Sequence, residues 1–235
     1  MFLYQKSKIK YQNYRLKCKN MEIISIIIYF IILLFSVILH EVSHGKVADE
    51  LGDPTARLSG RLTLNPTPHI DLFGSIILPI FLLMSGTGFF IAWAKPVPVD
   101  PYNLKEPRKD SALISLAGPA TNLILAIISS VLLYLFKFIE LPFLFIIGPI
   151  LIIIIRINLM LGIFNLLPIH PMDGFKIVEG ILPEEKAREW AGLQRFGMIF
   201  LLLLIFPIAG SSMLNGFLTP VASFLFNLLV PGGII

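Results

Sequence analysis

Three ionisable residues within five positions, His40, Glu41 and His44, close an almost unbroken apolar run at residues 23–39. On a helix, residues four apart lie about 40° apart around the axis. His40 and His44 therefore share one face and can hold a single Zn²⁺ through two imidazoles. Glu41 stands beside them, placed to take a proton from a water that the metal activates. Two satisfied polar residues at a helix end are the plain alternative. Yet the chain has only four histidines, and ionisable groups against an apolar run are costly to keep without a task. Zinc needs a third protein ligand, with water in the fourth position. Asp173 is the best candidate: a carboxylate at the end of a second apolar span, in the break Ile169-His170-Pro171-Met172-Asp173-Gly174. The chemistry this predicts is hydrolysis of a peptide bond, with Glu41 accepting the proton of water and passing it to the leaving amine. No serine nucleophile motif is present, which is consistent with a route that has no covalent intermediate.

The elements that must position these residues follow from composition and punctuation. Of 235 residues, 56% are hydrophobic and only 14% charged, and mean hydropathy is +0.83. This predicts an all-α polytopic membrane protein rather than a soluble domain. The net charge of +4 suits basic loops at a negative membrane face better than nucleic-acid binding. The single cysteine, Cys18, excludes an intrachain disulfide and a cysteine zinc site. Residues 1–20 form a basic N-terminal tail, or lie upstream of a true start at Met21. Residues 21–235 read as one membrane-embedded domain. Its expected spans are 22–45, 111–136, 143–168, 196–209 and 214–230, the last crossing or re-entrant. Between the first two, residues 72–93 are interrupted by Pro79 and by Ser85-Gly86-Thr87-Gly88, and residues 61–64 suit a short strand.

Parity sharpens this layout. The histidines and Asp173 both sit at C-terminal ends of apolar runs. They meet only if those helices run in the same direction, which one clean span between them, 111–136, achieves. Residues 72–93 should then dip in and return, as a re-entrant hairpin buried against protein. Lys46, Arg57, Arg61, Lys95, Lys105, Arg108, Lys109, Lys176, Lys186, Arg188 and Arg195 fall on the side of the site, and Lys137 on the other. The positive-inside rule then places the site toward the cytosol, with the tail as a basic segment on the wrong side.

The motifs H-E-V-S-H, G-R-L-T-L-N-P-T-P-H-I-D, A-K-P-V-P-V, L-A-G-P-A-T-N-L and F-N-L-L-P-I-H-P-M-D-G together resemble the site-2 protease family of intramembrane zinc metalloproteases. The likeness is to its compact prokaryotic branch without a PDZ domain, and it runs from about His40 to Gly174. The resemblance implies one zinc on His40, His44 and Asp173, and Glu41 as catalytic glutamate. It implies Asn165 and Pro168 in substrate handling, and Asn122 as a hydrogen-bond partner of substrate or oxyanion. Membrane helices of other proteins would be the substrates, cut in regulated proteolysis within the lipid bilayer. The turn departs from the family pattern at His170 and Met172, which stand where Pro and Leu are usual.

Several residues carry two readings. His170 reaches metal or substrate, or simply faces the cytosol. His69 is a loop pin, a gate or a solvated turn residue. Arg156, inside a span, should snorkel to the far interface, and Trp93 and Trp190 suit interfacial positions. A metal transporter would repeat its ligands along a path, whereas this cluster is single. A catalytically dead protein that shelters membrane segments would not need Glu41.

Overall fold

The computed structural model describes residues 2–77, 80, 81, 84, 93–139, 144–205, 213–230 and 232. Helix α1 spans Phe2–Glu50 and α2 spans Thr55–Leu58. The long helix α3, Pro107–Phe138, is followed by α4, Leu144–Asn165. Four shorter helices come after: α5 at Asp173–Ile181, α6 at Glu184–Ala191, α7 at Gln194–Ile205 and α8 at Met213–Leu229. Three segments are long and apolar enough to cross a membrane: Ile23–Glu50, Pro107–Phe138 and Ile147–Asn165. The apolar parts of α7 and α8 are shorter, at 10–17 residues.

The buried face of α3 explains the packing of these three. It carries Ser115, Gly118, Asn122, Ala126, Ser129, Ser130 and Leu133, a stripe of mostly small or polar residues at helical spacing. Apolar helices in lipid gain little from hydrophobicity toward one another, so small residues and interhelical hydrogen bonds hold them. An apolar cluster of Ala126, Leu133, Leu151, Ile155, Leu159 and Val230 joins α3, α4 and the end of α8. At one end of the bundle His44 of α1 meets Ile114 of α3. At the other, Ser130 of α3 donates to the Leu229 carbonyl and Lys137 to that of Gly232. Ser36 of α1 pairs with Asn158 of α4. These contacts make α1 and α4 parallel and α3 antiparallel between them, the arrangement that parity requires.

Three expectations need correction or narrowing. Residues 61–64 form no strand, and no strand occurs among the described residues. The carbonyls of Lys95 and Pro96, which a neighbouring strand would pair with, are taken by the Arg61 guanidinium. The apex of the expected re-entrant hairpin falls largely outside the described residues. Its two ends, however, come together: the Trp93 N–H donates to the Gly74 carbonyl at 3.2 Å and the Ser75 hydroxyl to the Trp93 carbonyl at 2.7 Å. Asp173 also sits differently from expectation. The span ends at Asn165, and after a turn that includes a cis His170–Pro171 peptide, Asp173 begins a separate helix.

Candidate metal centre

His40 and His44, one turn apart on α1, bring their Nε2 atoms to 3.0 Å from each other. Asp173 Oδ2 lies 3.1 Å from the first and 3.4 Å from the second. Their other ring nitrogens fix the protonation state. His44 Nδ1 lies 2.6 Å from the Ile114 carbonyl, which can only accept, so this nitrogen carries the proton. His40 Nδ1 lies 2.6 Å from Asn122 Oδ1. The orientation of that amide is itself determined. Asn158 Nδ2 donates to the Ile154 carbonyl at 2.9 Å, which turns Asn158 Oδ1 toward Asn122 Nδ2 at 2.8 Å. Asn122 Nδ2 also faces the Ser36 carbonyl at 3.4 Å. Asn122 therefore presents oxygen to His40, and Nδ1 of that ring is the protonated one.

In their neutral form, with the proton on Nδ1, both imidazoles turn bare Nε2 lone pairs toward one point, and Asp173 adds an oxygen that is buried without a hydrogen-bond partner. Three acceptors converging with no hydrogen among them repel unless a cation lies between. Two neutral imidazoles and a carboxylate, each imidazole backed by a hydrogen bond on its other nitrogen, are a donor set that suits zinc. These three are the group among the described residues that could hold a metal ion.

The surroundings are shaped to this cluster. A Cβ at Gly118 would lie 2.5 Å from His44 Nε2 and 2.6 Å from His40 Nε2, so only glycine lets α3 approach the rings this closely. Pro119 follows, removing a helix donor and crowding the Ser115 carbonyl, in the turn where Ile114 offers its carbonyl to His44. Asp173 is held by the packing of the helix it begins. Phe175 stacks on Trp190 at 5.2 Å, and the Trp190 indole donates to the Phe175 carbonyl at 3.0 Å. Arg108 of α3 reaches the carbonyls of Glu179 and Leu182 at the other end of α5, where a cation complements the helix dipole.

Glu41 is half-buried beside the cluster and is not one of its three members. Its Oε2 accepts the Val97 N–H at 2.9 Å. Asn122 is wholly buried, and its amide is engaged with His40, Asn158 and Ser36. This geometry gives Asn122 a hydrogen bond to His40, one of the three residues that could hold a metal. Asn165 donates to the Leu161 carbonyl of its own helix at 3.0 Å. Pro168 lines a cavity of about 420 Å³ with Ile169, His170, Phe175, Trp190 and residues of α7. His170 stays out of the cluster, with Gln194 3.2 Å from its Nε2 and its ring edge against Phe175. His69 is a buried loop pin, its Nε2 on the Thr63 carbonyl at 2.9 Å. Trp190 serves packing more than an interface, and the Arg156 guanidinium rests 5.2 Å over the Phe226 ring. Sequence reasoning missed Asn158, Gly118 and Val97. The first was findable as an amide in the middle of the apolar run of α4.

The model of peptidase family M50 matches residues 28–143 and 143–204. The chain belongs to peptidase family M50. It is 40% identical over 191 residues to YwhC of Bacillus subtilis, covering 79% of this chain and 84% of that protein. It is 32% identical over 196 residues to Rip2 of Mycobacterium tuberculosis, covering 83% and 71%. Both relatives bear names that mark them as candidate zinc metalloproteases. A zinc metalloprotease of Methanocaldococcus jannaschii is 30% identical over 159 residues, 67% of this chain but 35% of that protein. No solved structure gives a significant match. Enzymatic function as a peptidase follows from this membership, and the three apolar helices make it a membrane protein of the family.

Proposed function

We propose that the protein is an intramembrane zinc metalloprotease that hydrolyses peptide bonds in or near transmembrane segments of other membrane proteins. The observation that carries this reading is the convergence of two bare Nε2 lone pairs and an unpartnered carboxylate oxygen at the end of two parallel apolar helices. His40, His44 and Asp173 would hold one Zn²⁺. When bound, zinc supplies a Lewis acid that polarises a carbonyl and lowers the pKa of water toward about 7. Glu41 accepts the proton of the attacking water and returns it to the leaving amine. Asn122 orients His40, while Asn165, at the end of α4, and Pro168, in the turn leading to Asp173, handle the substrate.

The two histidines are buried among helices, so water must reach the cluster from the side of the partly exposed Asp173. The basic residues around the site support an orientation toward the cytosol of a prokaryotic cell membrane. Residues 72–93, whose ends meet at Gly74 and Trp93, support the reading of a segment that enters and returns on that side. The single domain spans residues 21–235, with 1–20 as a basic tail.

Cleavage of a reporter membrane helix in proteoliposomes, wild type beside Glu41→Gln with bound zinc counted, tests the mechanism. Both proteins should hold one zinc and only wild type should cut. Zinc retention with no cleavage of a broad helix panel by wild type would argue for transport or sheltering instead.

A further inference from the structure

Residues 95–100 read Lys-Pro-Val-Pro-Val-Asp. Prolines at 96 and 98 have no N–H and restrict the backbone to extended conformations. Val97 is therefore the only donor in the Pro-Val-Pro tripeptide, and that donor holds Glu41 Oε2. The tripeptide is suspended between two anchors. On one side the Lys95 N–H donates to the carbonyl of the buried His69 at 2.9 Å. On the other the Asp100 N–H donates to the buried Asp53 carboxylate at 2.7 Å. Val97 itself is buried against α1 at Gly45, where a Cβ would lie 2.8 Å from its Cγ1.

The remaining contact comes from Arg61, which is buried and has no carboxylate partner among the described residues. Its Nη2 donates to the Lys95 carbonyl at 2.6 Å and to the Pro96 carbonyl at 3.1 Å. The Pro96 carbonyl and the Val97 N–H belong to one peptide unit. Arg61 therefore grips the oxygen of the same amide whose hydrogen holds Glu41. A cation on the carbonyl polarises the unit and strengthens its N–H as a donor. Burying a guanidinium on neutral carbonyls alone is costly, and a catalytic carboxylate held at the other end of that amide gives the cost a purpose.

We propose that Arg61 is a positioning residue for Glu41, acting through the Pro96–Val97 peptide to set the orientation of the catalytic carboxylate. The inference rests on Glu41 being the general base. Misplacing a reacting group by about 1 Å costs on the order of 10²-fold, and this sets the expected size. Arg61→Met should lower kcat about 10²-fold, with KM and bound zinc unchanged, and Arg61→Lys should recover part of the loss. Replacing the Pro96–Val97 amide by an ester, with the hydroxy-acid analogue of valine at 97, removes only the N–H and weakens the same carbonyl. It should reproduce the Arg61→Met loss, and Arg61→Met in that background should cost less than about threefold more.

Three outcomes would overturn the inference: an ester variant with wild-type kcat, losses that multiply when combined, or a loss confined to KM or to zinc content. A wild type that cuts no helix, or a Glu41→Gln that cuts as wild type, would instead bring down the protease reading, and is seen before any Arg61 variant is compared.

Discussion

At the scale of single residues the centre depends on which nitrogen carries a proton. Both imidazoles must present Nε2 unprotonated, and two acceptors behind them, the Ile114 carbonyl and Asn122 Oδ1, enforce this. Asn158 enforces the second of these in turn. Outer partners of this kind typically contribute 10–100-fold in metal affinity. Asn122→Ala should weaken zinc affinity by roughly that factor, and Asn158→Leu by about 10-fold. Competition against a zinc-sensitive chelator measures both, and an Asn158→Leu protein with wild-type affinity would show that Asn122 needs no support. Gly118→Ala places a methyl 2.5–2.6 Å from ring atoms of both histidines. It should lose stoichiometric zinc and all cleavage while remaining folded, read as metal content together with circular dichroism.

At the scale of elements the loops around the site are tied together by a buried carboxylate. Asp53 is buried at the corner between α1 and α2 and accepts from the backbone N–H groups of Thr55 and Asp100, the Thr55 hydroxyl and the Asn103 amide. Burial pushes its carboxyl up, but these bonds outweigh it and hold the group below the ordinary value. A carboxyl depressed in the folded state contributes stability above its unfolded pKa of about 3.9, and that stability is lost as pH falls through the lower folded value. Asp53→Asn should therefore destabilise the protein at pH 7 by about 2 kcal/mol, the order of a hydrogen bond to a charged group. The gap from wild type should close as pH drops below about 4, followed by thermal unfolding in detergent. A gap that stayed constant would mean that the charge is not what matters.

At the scale of the whole molecule, zinc would tie α1 to the start of α5, two elements about 130 residues apart in sequence that otherwise meet through α3. A ligand that binds only the folded state adds about 4 kcal/mol at a thousandfold excess over its Kd. Chelation should lower the unfolding temperature of wild type, and His40→Ala should abolish the difference. Equal temperatures with and without chelator in wild type would mean that the bundle does not use the metal for stability.

Much of this was legible from local rules. H-E-x-x-H on a helix places two imidazoles on one face whatever lies around them, because helix geometry is independent of tertiary context. Apolar runs long enough to cross a bilayer announce themselves by length and composition, and parity then makes α1 parallel to α4, the span that precedes Asp173. The family, the three long apolar helices and the convergence of His40, His44 and Asp173 were legible at that level.

Tertiary structure decided the rest, because it depends on partners far away in sequence. The tautomer of His40 is set by amides 82 and 118 residues on, the first at Asn122 and the second at Asn158. The orientation of Glu41 is set by the N–H of a residue 56 positions away. Residues 61–64 have the composition of a strand, yet the Arg61 side chain takes the carbonyls that a strand would need. A sequence lists donors and acceptors, but which donor meets which acceptor is settled only when the chain is packed and each buried group competes for the few partners within reach.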